Sequence, residues 1–211
     1  MVKKNEIIEA SKTYFREKFK KGKFIPGETY IPPSGKLLDA DDCGQLIDAS
    51  LDMWLTAGRF AAQFESTLAR KFGKKISKLT VSGSAANLLA FSTLTSWKLG
   101  ENRLKPGDEV ITVAAGFPTT VAPIIQNGCI PVFVDIDVAT HNVDVKAVEN
   151  AVTLKTRAIM IAHSLGNPFD AIAIQKICKK HDLYLIEDCC DAFGATITMQ
   201  DGTEKAVGTF G

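Results

Sequence analysis

Leu183-Tyr184-Leu185-Ile186-Glu187-Asp188 is the stretch that decides the fold. Four apolar residues run directly into two carboxylates. So short an apolar run suits a strand buried on both faces, with the carboxylates at its carboxyl end. Toward the N-terminus the same unit repeats. Ala171–Lys180 has helical spacing, Ala158–Ala162 reads as a strand, and a helix is expected around Val143–Val152. Pro131–Val134 is a strand ending at Asp135, Pro118–Asn127 a helix stopped by Gly128, and Glu109–Val113 a strand after the turn Pro106-Gly107-Asp108. Ala85–Trp97 is read as a helix and Lys78-Leu79-Thr80-Val81 as a short strand before it. Such alternation predicts an α/β protein with a mainly parallel sheet and helices on both faces.

Further out the rhythm changes. Lys3–Lys20 carries Ile7, Ile8, Tyr14, Phe15 and Phe19 at helical spacing. Phe24–Lys36, with Pro26, Gly27, Pro32, Pro33 and Gly35, reads as an extended arm or loop. Helices are expected from Asp39 to Thr56, stopped at Gly58, and from Arg59 to Phe72. We therefore expect an N-terminal helix and arm over 1–35 and part of one large domain over 36–211. No internal repeat or low-complexity segment is visible.

Composition narrows the class. Of 211 residues, 45% are hydrophobic and 23% charged, as in an ordinary globular protein. A net charge of +1 argues against a large nucleic-acid or membrane footprint. The basic run Lys18, Lys20, Lys21, Lys23 reads as a solvated helix end. No apolar run approaches the ~20 residues of a membrane span, and the mixed-charge start lacks a signal core, so a cytoplasmic address is expected. The five cysteines (Cys43, Cys129, Cys178, Cys189 and Cys190) fit a reducing compartment. Adjacent Cys189 and Cys190 have neither Cys-x-x-Cys spacing nor a nearby His, so no metal site is expected.

Ligands of such sheets gather at the carboxyl ends of strands. Four candidates fall there. Ser82-Gly83-Ser84-Ala85-Ala86 opens a helix with free N–H groups and a close backbone approach, which suits a phosphate; a plain turn with Ser as N-cap reads equally well. Asp188, after an apolar strand, needs a partner if buried. A protonated heterocyclic nitrogen would serve, and so would capping of the next loop; Asp191 could reach the same ligand. Phe117 could lie on a planar ring or belong to the core. His163 could touch ligand or be a satisfied structural histidine. A dinucleotide site is set aside, because no Gly-x-Gly-x-x-Gly follows the first strand.

Taken together these motifs resemble a known family. Trp54-Leu55-Thr56-Ala57-Gly58-Arg59-Phe60, Ser82-Gly83-Ser84-Ala85-Ala86-Asn87-Leu88-Leu89, Ala115-Gly116-Phe117-Pro118-Thr119-Thr120 and Ile186-Glu187-Asp188-Cys189-Cys190-Asp191-Ala192-Phe193-Gly194 resemble the pyridoxal-phosphate sugar aminotransferases and dehydrases of the DegT/StrS type. The likeness runs from about Ile31 to Gly211 and includes Ser34-Gly35-Lys36. It implies a fold-type I large domain. Pro-Pro-Ser-Gly-Lys at 32–36 and Asp191, where aminotransferases of the family usually carry Gln or His, favour the branch of the CDP-4-keto-6-deoxyglucose 3-dehydrases of lipopolysaccharide O-antigen dideoxysugar synthesis.

The resemblance assigns roles. Gly83, Ser84 and Ala85 would hold the cofactor phosphate through backbone N–H groups. Phe117 would stack on the pyridine ring, Asp188 would pair with its nitrogen, and Asp191 would lie near its phenolic oxygen. His163 is a weaker carry-over. The cofactor would be pyridoxamine or pyridoxal phosphate, the substrate a nucleotide-linked keto-sugar, and the enzyme a homodimer. Full-length relatives of the branch add a 2Fe-2S cluster and an iron–sulfur flavin reductase as partner; no cysteine here matches the cluster positions. The reactive residue, Lys in the aminotransferases and His in the 3-dehydrases, would follow Gly211, so the chain itself holds no catalytic residue and is read as a truncated member. As such it is expected to be unstable or to associate, and to show no turnover alone. A sugar-nucleotide aminotransferase fragment and a non-catalytic remnant binding a phosphate ligand or partner chain are the other readings.

Overall fold

A computed structural model describes residues 2–20, 22–32 and 35–211. Lys21 of the basic run, and Pro33 and Ser34 of the expected arm, lie outside the described residues. The chain divides into two compact units, residues up to Phe64 and Glu65–Gly211.

In the first unit, α1 (Lys4–Lys18) and α2 (Ala40–Leu51) are separated by residues without regular helix or strand. Asp39 caps α2: its Oδ1 accepts from the N–H groups of Asp41 and Asp42 at 2.7 and 3.0 Å, and Asp42 Oδ2 accepts from the Asp39 N–H in return. The helix stops five residues before the expected end at Thr56. Met53 adopts a left-handed backbone (φ 48°), and the Trp54 indole N–H folds onto the Ala57 carbonyl at 3.0 Å. Arg59 and Lys4 together embrace Asp48 and Asp52. Their hydrogen bonds, Arg59's first, hold the Asp52 carboxyl down at about 2. Arg59 itself opens α3 (Arg59–Lys71).

The second unit is built on a four-stranded, all-parallel sheet of order β2-β1-β3-β4. The strands are β1 (Glu109–Val113), β2 (Ile130–Val134), β3 (Thr156–Ala162) and β4 (Tyr184–Asp188). The helices α4 (Gly83–Leu94), α5 (Pro118–Gln126), α6 (Val145–Ala151) and α7 (Ala171–His181) alternate with them. Because side chains alternate along a strand, one sequence feeds two cores. Ile111, Val113, Ile159 and Ile161 pack with Val148 of α6 and Ile174 and Ile177 of α7. Val110, Ala158 and Met160 pack with Phe91 of α4 and Ile124 of α5. Each of these side chains larger than Ala158 contributes about 1.5–3 kcal/mol by its burial. The expected α/β architecture is therefore observed.

Two further local expectations fail. Residues 78–81 form no strand. Val81 is almost wholly exposed, and the Leu79 N–H donates to Glu65 Oε1 at 2.9 Å instead of to a neighbouring strand. The Ala85–Trp97 helix begins earlier, at Gly83, and ends at Leu94, where the chain turns into a 3₁₀ segment from Trp97 to Asn102. The structure also adds an antiparallel hairpin, β5 (Thr196–Thr198) with β6 (Glu204–Ala206). No helix among the described residues is long and apolar enough to cross a membrane.

Candidate functional site

The register of the sheet sets the site. Asp188 ends β4 opposite Ala162, the last residue of β3, and the His163 N–H donates to the Asp188 carbonyl at 3.1 Å. The first turn of α4 and the start of α5 reach the same end of the sheet. The result is a cleft of about 200 Å³ lined by Gly83, Ser84, Asn87, Phe117, Thr119, Ala162, His163, Asp188, Cys190 and Asp191.

Six of the seven expected residues thus meet around one cleft; Ala85 does not line it. The reason is the cap. Ser82 Oγ accepts from the Ala85 N–H at 3.1 Å, so that donor is already used. The N–H groups of Gly83 and Ser84 have no partner among the described residues, and they stand at the positive end of the α4 dipole. Cap and anion site are compatible here, because they use different donors.

Asp188 is buried at the floor, 9% exposed. Its Oδ2 accepts from Asn87 Nδ2 and from Thr120 Oγ1, both at 2.7 Å, and its Oδ1 accepts from the Cys190 N–H at 3.1 Å. A carboxylate offers about four acceptor positions. Three are filled, so Oδ1 keeps one for a donor in the cleft.

Phe117 is 70% exposed and immediately precedes α5, which rules out a core role and leaves its ring free to cover a planar ligand. His163 is buried, with both ring nitrogens engaged inside the protein: Nδ1 accepts from the Phe169 N–H at 3.2 Å and Nε2 lies 3.3 Å from Glu187 Oε2. Its ring is stacked on Phe169, centroids 4.0 Å apart. It can therefore offer the cleft a wall, but no free nitrogen. Asp191 is exposed at the rim.

Asn87, Thr120 and Glu187 carry no role in the sequence reading. The signal for Asn87 was available: it lies one turn beyond Gly83 on the same helical face, a lone amide in an apolar helix. Nothing in the sequence singles out Thr120.

A larger open groove of about 1020 Å³ runs beside residues 136–146 and 167–170. Its carboxylates serve their own loops. Asp137 accepts from the Thr140 N–H, Asp144 from Lys146, and Asp170 from Ala173.

No group of three or more His, Cys, Asp or Glu side chains among the described residues is arranged to hold a metal ion. Burial pushes the thiols of Cys178 and Cys189 up to about 12, with the charges of Glu187 and Asp188 adding to the latter. Such thiols stay protonated near neutral pH.

Against known proteins, the family model of the DegT/DnrJ/EryC1/StrS aminotransferase family matches residues 37–211. The chain belongs to this family. Among DegT-family relatives it is 52% identical over 208 residues to the lipopolysaccharide biosynthesis protein RfbH of Salmonella typhimurium, covering 99% of this chain and 46% of that protein. It is 50% identical, again over 208 residues, to the dTDP-4-dehydro-2,6-dideoxy-D-glucose 3-dehydratase of Saccharopolyspora spinosa, covering 99% of this chain and 44% of that enzyme. A crystal structure of GDP-4-keto-6-deoxymannose-3-dehydratase with a trapped PLP-glutamate geminal diamine superposes with a TM-score of 0.66 at 39% identity, over 72% of this chain and 39% of that one. The chain thus spans a little under half the length of these relatives.

Proposed function

We propose that this chain carries the cofactor-holding part of a pyridoxamine-phosphate-dependent sugar-nucleotide 3-dehydratase. The reaction would remove the C3 hydroxyl of a CDP-4-keto-6-deoxyhexose on the way to a dideoxysugar of O-antigen lipopolysaccharide. The observation that carries the reading is Asp188: a buried carboxylate with three fixed donors and one open acceptor position, facing a cleft whose far end presents two helix N–H groups that have no partner among the described residues. That pattern suits a small heterocycle with a basic ring nitrogen at one end and a phosphate at the other.

In this reading Gly83 and Ser84 take the phosphate at the α4 N-terminus. Phe117 covers one ring face. Asp188 accepts the ring N–H and, as an anion, favours the protonated ring. Asp191 stands at the rim toward the ring's phenolic oxygen, and its carboxylate, in place of the usual amide or imidazole, supports dehydratase over aminotransferase chemistry. His163 closes the wall. The bound cofactor would supply an electron sink for removing the C3 hydroxyl. A homodimer, an iron–sulfur reductase partner and a cytoplasmic location belong to the same proposal.

A sugar-nucleotide aminotransferase is the second reading, supported by the 32% identity to the GDP-perosamine synthase of Vibrio cholerae over 182 residues. Titrating the chain with pyridoxamine 5′-phosphate, followed by calorimetry, tests the cofactor site. Saturable binding that weakens about 10–100-fold in Asp188→Asn is expected, the scale of losing a charge-assisted hydrogen bond of about 1.5–3 kcal/mol. Binding that is absent, or indifferent to Asp188, overturns the reading.

A further inference from the structure

Glu187 precedes Asp188 on β4, yet it serves a different part of the structure. Its side chain is 2% exposed. Oε1 accepts from the N–H groups of Phe210 and Gly211 at 2.7 and 2.8 Å. Oε2 accepts from the Gly208 N–H at 2.9 Å and faces His163 Nε2 at 3.3 Å. All four acceptor positions of the carboxylate are occupied, which compensates the cost of burying its charge.

The sequence of residues 208–211 is adapted to this carboxylate. Gly208 has φ +79°, and a Cβ there would lie 3.1 Å from Cys189 Sγ. At Gly211 a Cβ would collide with the Leu185 carbonyl of β4. Phe210 between them is buried in the α6–α7 core, and its carbonyl accepts from Gln175 Nε2 at 2.5 Å. Residues 208–211 are thus moored to β4 through Glu187.

The other side of the carboxylate faces the cleft wall. Because His163 Nδ1 accepts from the Phe169 N–H, the ring proton sits on Nε2 and points at Glu187. The ring cannot turn without breaking both bonds and its stack on Phe169.

We propose that Glu187 is a positioning residue that couples the cleft to the 208–211 segment: one carboxylate fixes the His163 wall and moors that segment, so occupancy of the cleft and order of residues 208–211 reinforce each other. The inference rests on the cleft being the cofactor site. Coupling of this kind is reciprocal: a ligand that steadies the His163 wall steadies the 208–211 segment, and a loosened segment weakens the ligand.

Hydrogen exchange of the chain, with and without pyridoxamine 5′-phosphate, tests it. In the unsubstituted chain the ligand should slow exchange of the 208–211 amides by about 5-fold or more, the lower end of typical couplings. His163→Phe should keep ligand-free protection of those amides, because three backbone bonds to Glu187 remain, yet lose the ligand effect. Gly208→Ala should loosen the 208–211 segment and weaken ligand binding with the cleft residues untouched. Slowing that persists in His163→Phe overturns the proposal. So does ligand protection of the 82–88 region without any at 208–211. If the ligand protects neither region, the cofactor reading falls. Nitrogen NMR of the His163 ring then decides the coupling alone: the ring keeps its Nε2–H tautomer, but Glu187→Gln must shift the Nε2 signal because the bond to a charged acceptor is lost, and an unchanged signal overturns it.

Discussion

Asn87 Nδ2 donates to Asp188 Oδ2 at 2.7 Å, joining residues 101 positions apart in the chain. The same amide nitrogen reaches the Thr119 carbonyl at 3.3 Å. One side chain of α4 thereby ties the helix that offers the anion site, the strand that offers the carboxylate, and the start of α5.

Asn87→Leu should therefore weaken binding of pyridoxamine 5′-phosphate without unfolding the protein. Leu is nearly isosteric but cannot donate, so Oδ2 keeps only Thr120. A loss of about 10-fold is expected, from a charge-assisted bond near 1.5 kcal/mol. Thr120→Ser should be nearly neutral and Thr120→Val should resemble Asn87→Leu. Calorimetric titration of the three variants checks this ordering.

Ser82→Ala should cost about 1 kcal/mol of stability, the usual value of an N-cap. It also frees the Ala85 N–H beside those of Gly83 and Ser84. Phosphate-ester affinity should accordingly fall less than stability does. Denaturant titration beside a binding isotherm separates the two effects.

Ile159→Ala should destabilise by about 2–5 kcal/mol. Ile159 is fully buried in the central strand β3 and belongs to the core under α6 and α7. Leu154→Ala should change stability by less than about 0.5 kcal/mol, since Leu154 is fully exposed. Urea unfolding of both variants gives the contrast.

The acid limb of stability should depend on Glu187. Burial raises its carboxyl, but the hydrogen bonds from His163 and from the Gly208, Gly211 and Phe210 N–H groups outweigh this and leave it below the ordinary 4.5. The unfolded chain then binds the proton more readily than the folded one. The contribution is complete above pH 4.5 and disappears as pH falls through the lower folded value. Unfolding free energies measured between pH 6 and the acid limit should flatten in Glu187→Gln.

Legibility followed the physics of burial. β3 and β4 are readable because both faces of each strand are covered, which leaves an unbroken apolar run between turn signals, and in β1 only Thr112 interrupts that run. Residues 78–81 look like such a strand in isolation, but Val81 stays exposed and no neighbour supplies a ladder. The 196–206 hairpin was missed because its three-residue strands are half exposed and polar. Asp188, Phe117 and the Gly83–Ser84 turn were legible as strand-end and helix-start chemistry. Thr120 and Glu187 were not, because their importance lies in partners 68 and 21–24 residues away that no local pattern reveals.

The order β2-β1-β3-β4 also bears on how the molecule comes to exist. A parallel pair cannot close through a tight turn, so each pairing of this sheet waits for a helical crossover to be made first. The centre, β1 against β3, must additionally span the whole of β2 and α6. Assembly of such distant partners is slow compared with helix formation, since the entropy of closing the intervening loops is lost before any ladder rewards it. During synthesis β1 can pair with β2 once Val134 has emerged, but its other edge stays unpaired until β3, ending at Ala162, has left the ribosome, which makes that interval the window in which a chaperone would be most useful.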